Sequence, residues 1–356
     1  MRVTVAAWIG SANAGDELIF SALRDKLVAR GTRVTAISTT PRVGVHTVGH
    51  LAPAAVITAI RSSDAFVLGG GGLLQDQTSP FNLPYHLSRL AIARVAGTPR
   101  AVVGVGAGPL HSGLGRVQVR AALRGATAVS VRDHGSGEVL RHAGVTDVRL
   151  AADLALALPA PTVAPADRIC ACLRPWRTAR GRLPVSTRGR RDVTPETMVD
   201  RLARGLDEAA GRLGLPVRLV AMQPGWDDLL HARVAERMHT DVSVVSPPAA
   251  RVLDEIAASR VVVAMRYHAA IGAVLAGRPA TLVGYDPKLG GIAEAMGPAA
   301  RLLAWTPAAL GLLGAATSAV AAEGGGLAAV LAGLRERERV NDTVLDDLLD
   351  LAEARR

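Results

Sequence analysis

Short apolar runs that alternate with longer stretches of helical periodicity constrain this chain more than any other feature. Val3–Trp8 is followed by a helical pattern over Asp16–Arg30, then by Arg33–Ser38, and the rhythm continues through Ala65–Leu68, Ala101–Val105, Ala128–Val131 and Val148–Ala151. Runs of this length, bounded by Gly, Pro or charged residues and spaced by helices, are the mark of βαβ units and a parallel sheet. Residues 157–168 (ALPAPTVAPADR) carry Pro159, Pro161 and Pro165 without periodicity and read as a linker. A second series follows, at Ile169–Leu173, Val217–Met222, Val242–Val245, Val261–Met265 and Ala280–Tyr285. After Trp305 the chain is Ala- and Leu-rich with helical spacing, broken at Gly324–Gly326, and reads as two or three helices.

The expected fold is therefore α/β, with two Rossmann-like doubly wound domains facing across a cleft. Residues 1–160 form the first and 166–304 the second, while 305–356 supply helices, one of them able to pack back on the first domain. A length of 356 residues suits two cores better than one.

Composition narrows the function classes. Hydrophobic residues at 49% against 20% charged exclude a disordered chain. Aromatics at 3% argue for cores of Ala, Val and Leu, and against a stacking platform for single-stranded nucleic acid. The net charge of +10 is spread out, its densest run being Arg188–Arg191, so nucleic acid is not an expected partner. Lys26 and Lys288 are the only lysines, which marks Lys288, inside a motif described below, for ammonium chemistry. Cys170 and Cys172 read as buried hydrophobes of one strand, expected on opposite faces, with neither disulfide nor metal implied. MRVTVAAWIG lacks the long apolar region of a signal peptide, and no run of about 18 apolar residues occurs, so the expected location is cytoplasmic.

In doubly wound sheets, ligands sit outside the carboxyl ends of the strands, which confines the search for chemistry to strand-end loops. The first, Gly10-Ser-Ala-Asn13-Ala-Gly15-Asp16-Glu17, enters a helix, and Asp16 reads either as its N-cap or as a site residue. Gly69–Gly72 follows a strand and implies a tight turn or a close ligand, but neither a phosphate loop nor a dinucleotide fingerprint completes it. Arg132-Asp133 ends a strand; its guanidinium suits a carboxylate or phosphate, or else pairs with Asp133 or Asp153. The densest cluster is Met265-Arg266-Tyr267-His268, with Asp286-Pro287-Lys288 at the next strand end. Two successive strand ends bring Arg266, His268 and Lys288 toward one opening, three groups fit for an anion and for proton transfer. The remaining histidines His46, His50, His86, His111, His142, His231 and His239 read as structural.

Taken in order, Gly10, Asn13, Gly15 and Asp16; Gly69–Gly72; Arg132, Asp133 and Ser136; Asp153; Leu173-Arg174-Pro175-Trp176; Arg266 and His268; and Asp286 with Lys288 resemble the polysaccharide pyruvyl transferase family, most closely its bacterial cell-wall members. The resemblance implies a GT-B-like fold and transfer of the enolpyruvyl group of phosphoenolpyruvate onto two hydroxyls of a sugar, as a cyclic ketal, with no cofactor. It implies Arg132, Arg266, His268 and Lys288 around phosphoenolpyruvate, with His268 as general acid and Asp16 or Asp133 as base. Asn13, Gly15, Gly70, Gly71 and Gly72 fall on the acceptor side. The implied acceptor is a carbohydrate carried on a lipid, compatible with peripheral contact at an anionic inner membrane face. Two other readings are a GT-B nucleotide-sugar glycosyltransferase and a non-enzymatic binder of anionic polymer or membrane.

Overall fold

The computed structural model describes residues 1–77, 79, 81–176, 194–285 and 288–356; Arg188–Arg191 and Asp286 lie outside the described residues. Its first series runs β1 (Arg2–Ile9), α1 (Ala14–Ala29), β2 (Arg33–Ser38), β3 (His46–Gly49), α2 (Pro53–Arg61), β4 (Ala65–Leu68), β5 (Gly71–Leu74), α3 (Asn82–Val95), β6 (Arg100–Ala107), α4 (Gly113–Leu123), β7 (Val129–Val131), α5 (His134–His142) and β8 (Arg149–Leu150). The second runs β9 (Ile169–Cys172), α6 (Pro195–Leu213), β10 (Val217–Val220), α7 (Asp228–Ala235), β11 (Val242–Val245), α8 (Ala249–Ala257), β12 (Val261–Ala264), α9 (Tyr267–Leu275), β13 (Ala280–Gly284), α10 (Lys288–Met296) and β14 (Ala300–Ala304). Four helices close the chain: α11 (Pro307–Leu310), α12 (Leu313–Glu323), α13 (Leu327–Glu338) and α14 (Val340–Glu353). The chain forms two compact units, one of residues 1–11, 16–158 and 333–356, the other of residues 12–15 and 159–332.

In the first unit the strands lie in the order β3-β2-β1-β4-β6-β7-β8, all parallel, with β5 also paired to β6. Chain order reverses between β1 and β4. The interior strands are apolar on both faces because helices cover both, and all four residues of β4 are buried. The last helix belongs to this core. Asn341, fully buried at the start of α14, accepts from the Ser130 hydroxyl at 2.7 Å and donates to the Ala152 carbonyl at 3.0 Å. Lys26 bridges Glu338 at 3.0 Å and Asp342 at 2.7 Å, so one of the two lysines is a structural tie. Burial pushes the Glu338 carboxyl up, and Lys26 pulls it partly back.

The second unit has the order β11-β10-β9-β12-β13-β14, again parallel, with the reversal between β9 and β12. Helix α6 starts at Thr194, whose hydroxyl accepts from the Thr197 N–H at 3.1 Å, and ends at Gly214, where a φ of +65° suits glycine. It packs closely on α12 because Gly205 leaves room for Leu313: a Cβ at Gly205 would fall 2.7 Å from the Leu313 Cβ.

Several expectations need correction. The tail holds four helices, since Gly311 and Leu312 interrupt the first turns after Trp305. Strands β3 and β14 carry too little apolar alternation to stand out in the sequence; β3 is HTVG with one buried residue. Cys170 and Cys172 share a face, as residues two apart on a strand must, with Sγ atoms 3.8 Å apart. Both are buried free thiols, and the Cys170 hydrogen bond together with burial pushes the Cys172 thiol well up. The cores also contain large rings: Phe20 and Phe66 are buried in the first unit, and Trp176 meets Trp305 at 4.8 Å in the second.

Candidate functional site

In the second unit the chain order reverses between β9 and β12, so the loops after these strands diverge and leave a crevice at their carboxyl ends. The loops at these carboxyl ends are Leu173–Trp176 after β9, Gln223–Asp227 after β10, Met265–His268 after β12, and Tyr285–Lys288 after β13. Of this last loop, Asp286 and Pro287 lie outside the described residues.

Arg266 ends the β12 run in extended conformation and caps α9 with its backbone. Its guanidinium turns inward. Nε donates to Asp227 Oδ2 at 3.1 Å, Nη2 donates to Asp227 Oδ1, and Nη2 also donates to Gln223 Oε1 at 3.1 Å. Asp227 is fully buried, and its Oδ2 also accepts the N–H groups of Met222 at 3.1 Å and Gln223 at 2.9 Å. A carboxylate with no solvent contact is tolerable only with such complete partnering. Asp227 therefore aligns the planar fork of Arg266, and the arginine is prepositioned rather than mobile.

One turn along α7, His231 is fully buried and shares Nε2 with the Leu173 carbonyl at 3.1 Å. Burial pushes its proton affinity down against the pull of Asp227, so it is a neutral structural ring. His268 sits in the first turn of α9, edge-on to Tyr267 with ring centroids 5.4 Å apart. The segment Ala12–Gly15 belongs to this unit, and the Ala14 N–H donates to the Met222 carbonyl at 2.7 Å. Gly15 lies so close to His268 that a Cβ there would fall 2.1 Å from Nδ1. The glycine is needed for space, because its backbone is ordinary helix. Asn13 accepts the Gly15 N–H at 3.2 Å, so the cap of α1 belongs to Asn13 and not to Asp16, which lies inside the helix.

Lys288 opens α10. Arg174, at the end of the β9 loop, lays its guanidinium over the Tyr285 ring, 4.9 Å from the centroid. Arg174, Arg266, His268 and Lys288 thus follow the ends of three adjacent parallel strands, β9, β12 and β13. Such a set of cations with one imidazole can bind a small multiply charged anion and move one proton. Among the described residues, no group of three or more His, Cys, Asp or Glu could hold a metal ion.

The first unit holds the other expected residues. Arg132 ends β7 and pairs with both carboxylates considered for it, Asp133 Oδ2 at 3.2 Å and the fully buried Asp153 Oδ2 at 3.5 Å. Its guanidinium lies against Gly106, where a Cβ would come within 2.8 Å of Cζ. Asp133 also caps α5 by accepting the Ser136 N–H at 2.7 Å. The glycine run is explained residue by residue. Gly69 and Gly70 pack against Leu23, Leu154, Ile19 and the Gly104 carbonyl, and Gly71 has a φ of +98° with Asp16 Oδ1 3.1 Å from where its Cβ would be. Only Gly72 of the four faces open space. Glu17, not singled out from sequence, accepts the Gly10 N–H at 2.7 Å and pairs with Arg42. Asp227 was missed as well: its sole signal is an acidic residue in a Gln-Pro-Gly loop after a strand, which carries no motif.

A family model described as polysaccharide pyruvyl transferase matches residues 13–287. Among curated proteins none matches the chain in sequence. Solved structures do resemble it over its full length. Anabaena HepE in complex with UDP-glucose is 14% identical with a TM-score of 0.54, covering 99% of this chain and 100% of that one. AviGT4, a glycosyltransferase involved in avilamycin A biosynthesis, is 14% identical with a TM-score of 0.58, covering 99% and 98%. UDP-GlcNAc 2-epimerase from Neisseria meningitidis is 10% identical with a TM-score of 0.55, covering 98% and 100%. At such identities the likeness speaks for the fold alone, an α/β architecture of parallel sheets shared with GT-B glycosyltransferases and epimerases. The match across residues 13–287 is of another kind, and by it the chain belongs to the polysaccharide pyruvyl transferase family.

Proposed function

We propose that the protein moves the enolpyruvyl group of phosphoenolpyruvate onto two hydroxyls of one sugar in a cell-wall or extracellular polysaccharide precursor, closing a cyclic ketal and releasing phosphate. The observation that carries this reading is the set Arg174, Arg266, His268 and Lys288 at three adjacent strand ends, with Arg266 held in a fixed orientation by Asp227. Phosphoenolpyruvate presents a carboxylate and a phosphate on one small frame, and planar guanidinium forks match both.

His268 gives its proton to C3 of the donor, which turns the double bond into a methyl group and leaves C2 electrophilic. An acceptor hydroxyl attacks C2 and yields its proton to a base. The C2–O bond to phosphate then breaks, and a second hydroxyl of the same sugar attacks C2. Of the two hydroxyl protons, one replaces the proton His268 gave and the other leaves on phosphate. Fixed positive charge stabilises the departing phosphate without reorganisation. Asp16 or Asp133 is the base in this scheme; Asp133 also pairs with Arg132 and caps α5. The acceptor is a lipid-carried precursor at the inner membrane face; no single helix among the described residues is long and apolar enough to cross a membrane.

Calorimetry tests the donor. Phosphoenolpyruvate should bind the wild type and bind Arg266→Lys more weakly, because a point charge cannot replace the fork. The structural neighbours solved with UDP-sugars favour one other reading, nucleotide-sugar transfer. Binding of UDP or UDP-glucose, with none of phosphoenolpyruvate, would establish it instead.

A further inference from the structure

The first unit contains an aromatic surface that the proposed donor chemistry does not use. Strand β1 is interior, between β2 and β4, and residues 3–7 and 9 are buried, as an interior strand of a covered parallel sheet requires. Trp8 breaks that rule: it is 39% exposed at the carboxyl end of this strand, between Ala7 at 6% and Ile9 at 1%. The backbone shows how. Ala6 pairs with Ile37 and Ile9 with Ser38, so Ala7 and Trp8 form a bulge against β2. Bulges re-aim side chains and gather beside active sites, and this one lies where chain order reverses, the place at which such sheets bind ligands.

The ring is also held rigidly. Trp8 meets Tyr85 edge-on at 5.8 Å and His86 at 6.1 Å, and these two meet each other at 4.8 Å. Tyr85 is fixed in turn by His50 Nδ1, 3.0 Å from its hydroxyl, and by the Arg89 guanidinium 3.6 Å over its ring. Arg89 also donates to the carbonyls of Tyr85 and His50. The charge of this arginine is covered by the Tyr85 ring. Burial, with Arg89 nearby, pushes His86 down to about 3, and burial also lowers His50, so neither imidazole adds charge near neutral pH. In a chain with only four Trp, three Tyr and three Phe, a bulge that exposes a Trp against a Tyr and a neutral His is a costly arrangement for a surface without a ligand.

We propose that Trp8, steadied by Tyr85 and His86, is the stacking platform for a neutral pyranose ring of the carbohydrate acceptor. A pyranose has a face of C–H groups that packs on an aromatic ring, while its hydroxyls stay at the rim of the contact in water. An uncharged platform suits a neutral sugar better than a phosphate or an anionic lipid surface. The assignment rests on the carbohydrate-acceptor half of the proposed function and needs nothing from its donor half.

The test is saturation-transfer NMR on the full chain with methyl glycosides and disaccharides of glucose, galactose and mannose, without phosphoenolpyruvate. At least one sugar should take up saturation on the C–H protons of one ring face. Trp8→Ala should weaken its binding roughly tenfold or more, and Trp8→Phe, which keeps a ring, should retain most of it. Both variants should keep the circular dichroism of the wild type; should the alanine variant unfold, the phenylalanine variant compared with Trp8→Leu gives the same reading. Equal saturation in wild type and the ringless variant, or no saturation for any sugar, overturns the proposal. So does binding to anionic phospholipid vesicles that is lost with the ring. Since no donor is present, failure of phosphoenolpyruvate transfer leaves this result untouched, and the reverse also holds.

Discussion

Replacing Asp227 by Asn removes one charge and almost no volume, which makes it the sharpest probe of how the second unit holds Arg266. The carboxylate is fully buried and accepts two bonds from the guanidinium and two from backbone N–H groups. An Asn carbonyl in the place of Oδ2 still accepts both N–H groups, but the amide NH2 in the place of Oδ1 cannot accept from Arg266 Nη2, so the loss is the counter-charge of a 5% exposed arginine together with that hydrogen bond. Breaking a buried pair by removing one partner costs about 3–5 kcal/mol, a large part of a total stability of about 5–15 kcal/mol. With a urea slope of about 1–3 kcal/mol per M, the midpoint falls by about 1–5 M. Fluorescence reads this transition, because Trp176 and Trp305 lie buried against each other in this unit. Asp227→Asn combined with Arg266→Met leaves no buried charge and should be more stable than Asp227→Asn alone, a coupling of about 2 kcal/mol or more. If the single variant lies within about 0.5 kcal/mol of wild type, or the two changes simply add, the pair does not hold the site as described.

Gly15→Ala places a methyl 2.1 Å from His268 Nδ1; displacement of the imidazole by about 1 Å should cut transfer about 10²-fold, and unchanged turnover would separate His268 from the chemistry. Arg132→Met removes the cation paired with the buried Asp153 carboxylate, which keeps the Ala155 N–H, and should cost about 3–5 kcal/mol in urea unfolding; an unmoved midpoint would refute a supporting role for that pair. His86 carries a pH dependence: its folded value of about 3 lies below its ordinary 6.5, so the unfolded chain takes the proton first. The stability His86 contributes is therefore complete above pH 6.5 and is lost as pH falls toward 3, by about 1.4 kcal/mol per unit. His86→Phe should flatten that part of the profile, and identical pH slopes in variant and wild type would refute it.

The architecture was legible because interior strands of a parallel sheet must be apolar on both faces. Arg33–Ser38 and Ala65–Leu68 stand at the residues their apolar runs mark. Strand β3, HTVG, escaped notice since an edge strand need not be apolar, while β14, ARLLA, is apolar at four of five positions but buries only Ala300. At the site, residue types that carry charge at strand ends could be read directly, hence Arg266, His268 and Lys288. What they touch could not. Asp227 lies 39 residues from Arg266, and only the pairing of β10, β9 and β12 brings the two loops together. The glycines show the same limit: Gly15 looks like loop flexibility in sequence, but its reason is the imidazole of a residue more than 250 positions away. In sequence Trp8 is only the last residue of the apolar run Val3–Trp8, because the bulge that turns it outward depends on pairing with β2.

Transfer carried out in deuterium oxide, with phosphoenolpyruvate and a lipid-carried oligosaccharide, tests the proposed chemistry most directly. Protonation at C3 by His268 predicts a ketal whose methyl group carries one solvent deuterium, one phosphate released per ketal, and loss of both in His268→Ala. An acceptor product that keeps its vinyl group, or phosphate release without any ketal, or full turnover by the His268 variant, would contradict it.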